Sequence, residues 1–207
     1  MTVRIHPTAL VEEGVQLGDG TAVWDNAHLR AGAVVGRDCI IGGKSYLADG
    51  VVVGDRVKIN ANVYLCSGVT IETGVMVSAH VVFTNDRFPR ATTPDLAALR
   101  SSAIDDHTES TTVREGATVG AGAVIGPGLI IGRFAMVGMG AVVTRDVPDF
   151  HLVVGSPARS TAIVCRCGPP LLRLTQVLPA DGASALTCAG CARTYSFDGL
   201  AVTESDG

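Results

Sequence analysis

A period of six constrains this chain more than anything else in it. From Ile5 onward every sixth residue is large and apolar: Ile5, Val11, Leu17, Val23, Leu29, Val35, Ile41, Leu47, Val53, Ile59, Leu65, Ile71, Val77 and Phe83. Against a 47% hydrophobic composition, such an unbroken run arises by chance on the order of 10⁻⁴ of the time. Four residues after each hit stands a small or β-branched residue, from Ala9 and Val15 through Cys39 and Ser45 to Val75 and Val81. Gly, Asp and Asn cluster between, as in Gly18, Asp19 and Gly20. Six matches neither the 3.6 of a helix nor the 2 of a long strand. It matches short strands joined by tight corners, where Gly and short polar residues tolerate a left-handed backbone. Three sides make a triangular coil of about 18 residues, and coils stack at the ~4.8 Å sheet spacing around aliphatic ladders.

The register breaks after Phe83 and resumes at Val113, Val119, Ile125, Ile131, Val137 and Val143. The intervening loop, 84–112, carries Pro89, Pro94, many charges and a helix-compatible run from Asp95 to Arg100. Loops this long in compact domains usually carry function. Here an excursion that covers a site or reaches a neighbouring subunit is expected.

Aromatics make up only 4% of the residues, so the interior must be aliphatic. A formal charge of −4 argues against a nucleic-acid or anionic-membrane surface. No apolar run approaches the roughly 20 residues of a membrane span. The first residues show no apolar signal core, so a cytoplasmic setting with reduced cysteines is expected.

Three segments carry a resemblance: 57–63 (Val57, Lys58, Ile59, Asn60, Ala61, Asn62, Val63), 82–91 (with Phe83, Thr84, Asn85, Asp86, Pro89, Arg90) and 142–159, ending in Gly155, Ser156, Pro157, Ala158 and Arg159. The chain resembles the hexapeptide-repeat acyltransferases. Within them it is similar, over about residues 4–165, to the enzymes that N-acetylate nucleotide-linked 3-amino sugars. The resemblance implies an all-β fold: a left-handed parallel β-helix over 1–160, assembled as a homotrimer, using acetyl-CoA. It departs from the family at Asn60, Ala61 and Asn62, where Gln-Asn-Asn is common, and at His80, where a small residue is common. The chemistry is attack of a neutral amine on a thioester. A sugar ammonium of pKa roughly 8 leaves a usable neutral fraction, so orientation matters more than a strong base.

The implied catalytic residues are Asn85, orienting the amine, and His80, a candidate base in a corner turn. Trp24, Asn62, Asp86 and Arg90 are the implied substrate-binding residues, with Arg90 toward phosphate and Trp24 better suited to subunit packing. Gly120, Ala121, Gly138, Gly140, Ala141 and Arg159 are the implied coenzyme contacts. Each has a plainer alternative in corner geometry or solvation.

Beyond residue 160 the repeat stops, and 161–207 form a cysteine-rich tail. Cys165 and Cys167, then Cys188 and Cys191, precede strand-like runs at 171–178 and 192–197. The two pairs resemble the knuckles of a zinc ribbon, and four thiolates suit a structural, closed zinc site. Cys39 belongs to the small inward series. A carbonic-anhydrase chemistry on the same coil would need three converging His, and His6, His28, His80, His107 and His151 lack that spacing. A 4-amino or alcohol acceptor, or a non-enzymatic trimeric binding module, are the other readings.

Overall fold

The computed structural model describes residues 2–101, 103–174, 184–199 and 201–205. It is all-β, with no helix among the described residues, and winds through about eight three-sided coils as a left-handed β-helix. Face one stacks two-residue strands from Arg4–Ile5 through Ala22–Val23, Ile40–Ile41, Lys58–Ile59, Met76–Val77, Thr118–Val119 and Met136–Val137 to His151–Gly155. Face two runs from Leu10–Val11 to Val142–Val143, and face three from Gln16–Leu17 to Ile130–Ile131. All neighbours within these coils pair in parallel. Arg4 faces Ala22 and Ile40 faces Lys58, a step of 18 residues. Met76 faces Thr118, a step of 42, so the excursion adds 24 residues to a single coil.

The strands are short because each supplies one inward residue, and both inward series fill the prism. Leu29, Ile41, Leu47, Ile59, Leu65, Ile71, Phe83, Ile125 and Ile131 are completely buried. The small series buries Ala27, Ala33, Cys39, Val51, Val63, Val81 and Ala117 beside them. Its polar members bond to a carbonyl across the corner: Thr21 Oγ1 donates to Gly36 O (2.8 Å) and Ser45 Oγ to Asn60 O (2.9 Å). A buried hydroxyl with a partner carries little penalty, which is why the small position accepts Thr and Ser. The first coil differs from the repeat's expectation: Ile5 is 46% exposed, because no coil lies beneath it.

Three columns of corners join the faces. The first corner, between faces one and two, holds Asn26, Lys44, Asn62 and His80 at φ 54–61°, followed by Gly122 and Gly140 at 69° and 67°. Left-handed φ costs a non-glycine residue roughly 1–2 kcal/mol. Each corner N–H offsets this by bonding to the previous coil, as Asn62 N does to Gly43 O (3.0 Å) and His80 N to Ala61 O (3.1 Å). Long side chains are therefore accepted where Gly or a short polar residue is expected.

The sheet of face one does not end at 160. Its last solenoid strand, His151–Gly155, turns back into Ala158–Val164, which pairs in turn with Pro170–Arg173, both antiparallel. A separate sheet of Ser184–Thr187, Thr194–Phe197 and Val202–Glu204 follows. The expected strand 171–178 is observed at 170–173, and its part from 175 lies outside the described residues. The expected 192–197 strand begins at Thr194. Phe150, Ile163, Cys165, Cys188, Tyr195 and Phe197 form a second core. Phe134 stacks on Phe150 (5.5 Å) and Phe150 meets the edge of Tyr195 (5.4 Å), so the tail is docked on the end of the prism.

Candidate functional site

The excursion leaves from the second corner, between faces two and three, where other coils turn in two residues. Its feet are tied together. Arg87 donates to both Glu109 carboxylate oxygens (3.0 and 2.8 Å), and Glu109 N donates to Asn85 O (2.8 Å). The Arg87 guanidinium holds the Glu109 carboxyl below its ordinary value. The run 95–100 is not helical. It is half of a small hairpin in which Thr92 faces Leu99, Arg100 N donates to Ala91 O (3.0 Å) and Thr93 N to Ala98 O (2.9 Å). Pro94 starts the turn, and Asp95 accepts from Thr93 Oγ1 and Ala97 N, a local cap that wins over helix nucleation in so short a run.

Within this loop lies a polar cavity of about 250 Å³, lined among others by Asn85, Asp86, Arg90, Arg100, Asp105 and His107. Three residues expected from the sequence thus meet in one place: Asn85, Asp86 and Arg90. Asn85 Nδ2 donates to Ser67 O (3.2 Å), which fixes the amide plane and leaves Oδ1 as its acceptor. Asp86 Oδ1 accepts from Phe88 N (2.7 Å). Arg100, Asp105 and His107 were not singled out by the sequence reading. Their only sequence signal is membership of the loop, since no period relates residue 107 to residue 85.

The other expected residues gather elsewhere. Trp24, Asn62, His80, Gly120, Ala121, Gly138 and Gly140 all stand on the first corner, one coil above another. Arg159 joins the same edge, because it pairs with Val154, and Val154 packs where a Cβ on Gly138 would stand. Along face two, this edge lies about five residues from the loop, roughly 16 Å of extended chain. His80 is exposed on it and does not line the loop cavity. Trp24 is also exposed there, with the Arg4 guanidinium 5.0 Å above its ring.

Two glycines have a structural reason. A Cβ on Gly120 would come within 2.6 Å of Met139 N and Val137 O, and one on Gly138 within 2.7 Å of Val154 Cγ1. Gly140, by contrast, has open space around it. Ala141 is 1% exposed, its side chain pointing into the prism, so a coenzyme there could meet only its backbone.

At the far end the four cysteines converge. Their Sγ atoms all lie within 4.8 Å of one another, with Cys165–Cys191 at 3.4 Å, Cys165–Cys167 at 3.5 Å and Cys167–Cys188 at 3.6 Å. Four thiolates at ~2.3 Å from zinc would stand about 3.8 Å apart, so the donor set fits. Backbone N–H groups of Cys191 and Gly190 pull the Cys188 thiol down to about 6. The short first pair closes its turn through Gly168 at φ 110°, with Gly168 N donating to Cys165 O (2.8 Å). Among the described residues this is the only cluster of three or more metal-capable side chains, and it contains no His.

With this geometry in view, the repeat can be placed among known proteins. The bacterial transferase hexapeptide model matches residues 14–49 and 50–85, and that of the hexapeptide repeat of succinyl-transferase matches 32–67 and 111–145. Together they cover just over half of the chain and stop on either side of the excursion. The chain belongs to the hexapeptide-repeat transferases. A curated relative, the acyl-[acyl-carrier-protein]–UDP-N-acetylglucosamine O-acyltransferase of Brucella ovis, is 57% identical over 35 residues, 17% of this chain and 13% of that protein. The match thus spans about an eighth of the relative's length. A point variant of AntD, an N-acyltransferase from Bacillus cereus solved with dTDP and coenzyme A, superposes with a TM-score of 0.62 at 20% identity. It covers 73% of this chain and 85% of that one. A variant of GDP-perosamine N-acetyltransferase from Caulobacter crescentus, solved with CoA and GDP-perosamine, gives 0.49 at 25% identity, covering 77% and 56%.

Proposed function

We propose that this protein is an acyl-CoA-dependent N-acyltransferase that moves acetyl from acetyl-CoA to the 3-amino group of a nucleotide-linked sugar. The observation that carries this reading is the loop cavity, which holds an oriented amide acceptor, carboxylates and cations together at the one interruption of the repeat. Support comes from the transferase family models and from AntD, whose fold the chain shares.

In this reading the neutral amine attacks the thioester carbonyl. Asn85 Oδ1 accepts an N–H of the amine and aims its lone pair, and a corner backbone N–H meets the developing oxyanion. The tetrahedral intermediate expels the coenzyme thiolate, and the proton shed by the amine neutralises it. Asp86 attracts the ammonium form, which loses its first proton to bulk water before attack. His80 keeps a corner role and stands toward the coenzyme edge rather than the amine. Gly120, Ala121, Gly138, Gly140 and Arg159 present that edge to the pantetheine arm and phosphates, and Trp24 and Asn62 stand toward its other end.

Because the coenzyme edge and the loop cavity lie on different corners, the site closes only between two copies of the chain. A homotrimer satisfies this, each loop reaching the first corner of a neighbour. The apolar tips of the loop, Phe88, Leu96, Leu99 and Ile104, are exposed in the single chain, Leu99 at 81%, and are suited to that contact. Cys165, Cys167, Cys188 and Cys191 would hold a structural zinc, which supplies cross-linking to a tail too small to build much core. No described helix is long and apolar enough to cross a membrane, and acetyl-CoA with nucleotide sugars suits a cytoplasmic enzyme.

One observation favours a second reading. The Brucella relative is an O-acyltransferase, so a hydroxyl acceptor is the alternative. The test is to incubate the protein with acetyl-CoA and a panel of nucleoside-diphosphate 3-amino, 4-amino and 3-hydroxy sugars, following thiol release. Turnover confined to 3-amino sugars is expected. Turnover of the hydroxy sugars alone, or of none, overturns the assignment. Elemental analysis of chelator-free protein should return one zinc per chain, and none would refute the metal site.

A further inference from the structure

The loop cavity is one lobe of two. Arg90 and Arg100 line it, and both also line an adjoining cavity of about 420 Å³ with Thr92, Thr93, Pro94 and Leu96. The hairpin explains the sharing. Thr92 faces Leu99 and Arg100 N bonds to Ala91 O, which sets the two arginines on opposite strands at the hairpin's foot. Among the described residues neither guanidinium has a carboxylate within ion-pair distance, whereas nearby Arg87 is paired with Glu109. Arg90 Nη1 bonds only to the carbonyl of Pro89 (2.9 Å). The carboxylates of the polar lobe are occupied locally: Asp86 accepts from Phe88 N, and Asp105 from His107 N (2.9 Å).

The charge order across the two lobes is therefore uncharged, cationic, then acidic and amide-bearing. A nucleoside-diphosphate amino sugar has the complementary order: an uncharged nucleoside, a dianionic diphosphate and an amine-bearing ring. Arginine matches phosphate oxygens in paired, charge-assisted hydrogen bonds. We propose that Arg100 acts with Arg90 as a clamp on the acceptor's diphosphate, the nucleoside lying in the Thr93–Leu96 lobe and the amino sugar toward Asn85, Asp86 and His107. This rests on the nucleotide-sugar reading above and gives it an orientation.

The test is calorimetric binding of dTDP and UDP, with thymidine and uridine as phosphate-free probes, to wild type, Arg90→Gln, Arg100→Gln and Arg100→Lys. Loss of a charge-assisted contact should weaken diphosphate binding roughly 10- to 100-fold in each Gln variant. Nucleoside binding should hold within twofold, and Lys should restore part of the loss. Unchanged acetyl-CoA binding shows that the variants are folded. If wild type binds the diphosphates and both Gln variants bind them within twofold, the clamp alone is overturned. If wild type binds acetyl-CoA but neither diphosphate, the nucleotide-linked reading falls and the clamp falls with it.

Discussion

At the second corner Gly68 and Gly128 turn the chain with a single left-handed residue each. In the coil between them it leaves at Asn85 and returns at Glu109. The two solutions order their backbone by different means. In the coils the hydrogen bonds join residues 18 apart, such as Tyr46 N to Val63 O and Asn60 N to Val77 O. In the loop they are mostly local, such as Ala97 N to Asp95 Oδ1 and Ala103 N to Ser101 Oγ. A ladder residue is supported from the coils on both sides, so its side chain need only be apolar and of suitable size. A loop residue has few such neighbours and is free to be chosen for chemistry. Stability and activity should therefore separate between the two regions.

The largest effect that tests this separation is in the ladder. Leu47→Ala removes a fully buried side chain and should cost about 2–5 kcal/mol in denaturant unfolding, with kcat of the folded enzyme within twofold. A comparable loss of kcat would show that coils and site are coupled. Next comes Asn85→Ala, expected to lower kcat/KM roughly 100-fold while shifting unfolding by less than about 1 kcal/mol. Near wild-type turnover would remove the loop from catalysis.

Cys66 sharpens the comparison by pH. It lies in the interior beneath the loop, where burial pushes its thiol up to about 11 from an ordinary value of 9.0. A raised acid stabilises the fold fully below the unfolded value and loses that contribution as pH climbs toward the folded one. The stability difference between wild type and Cys66→Ala should be constant from pH 7 to 8.5 and shift against wild type above pH 9, whatever the other thiols contribute to both. The smallest effect belongs to His80. Glycine relieves its φ of 61°, at the expense of a more flexible unfolded chain, so His80→Gly should move stability by under about 1 kcal/mol. An unchanged pH–rate profile would leave it a corner residue, and a lost acidic limb would restore the role of base.

The coils were legible from residue order because a ladder repeats one local decision. Each sixth residue answers the same question, and Phe83 and Val113 mark the interruption by themselves. Asn85, Asp86 and Arg90 could be named because they stand in the segment 82–91 that carries the family resemblance. Arg100, Asp105 and His107 could not, since their place depends on how a hairpin folds back across the loop. The C-x-C pair departed from the usual knuckle spacing, and only Gly168's backbone shows how the turn still closes.

Residue order alone therefore determined the prism and the coil where it opens, since these follow from a period that every neighbour reinforces. Tertiary structure decided which groups share a cavity. It put the edge proposed for the coenzyme on one corner and the loop proposed for the acceptor on the next, because closing a coil every 18 residues brings distant side chains onto one edge, while 24 inserted residues are ordered only by the contacts they make after folding.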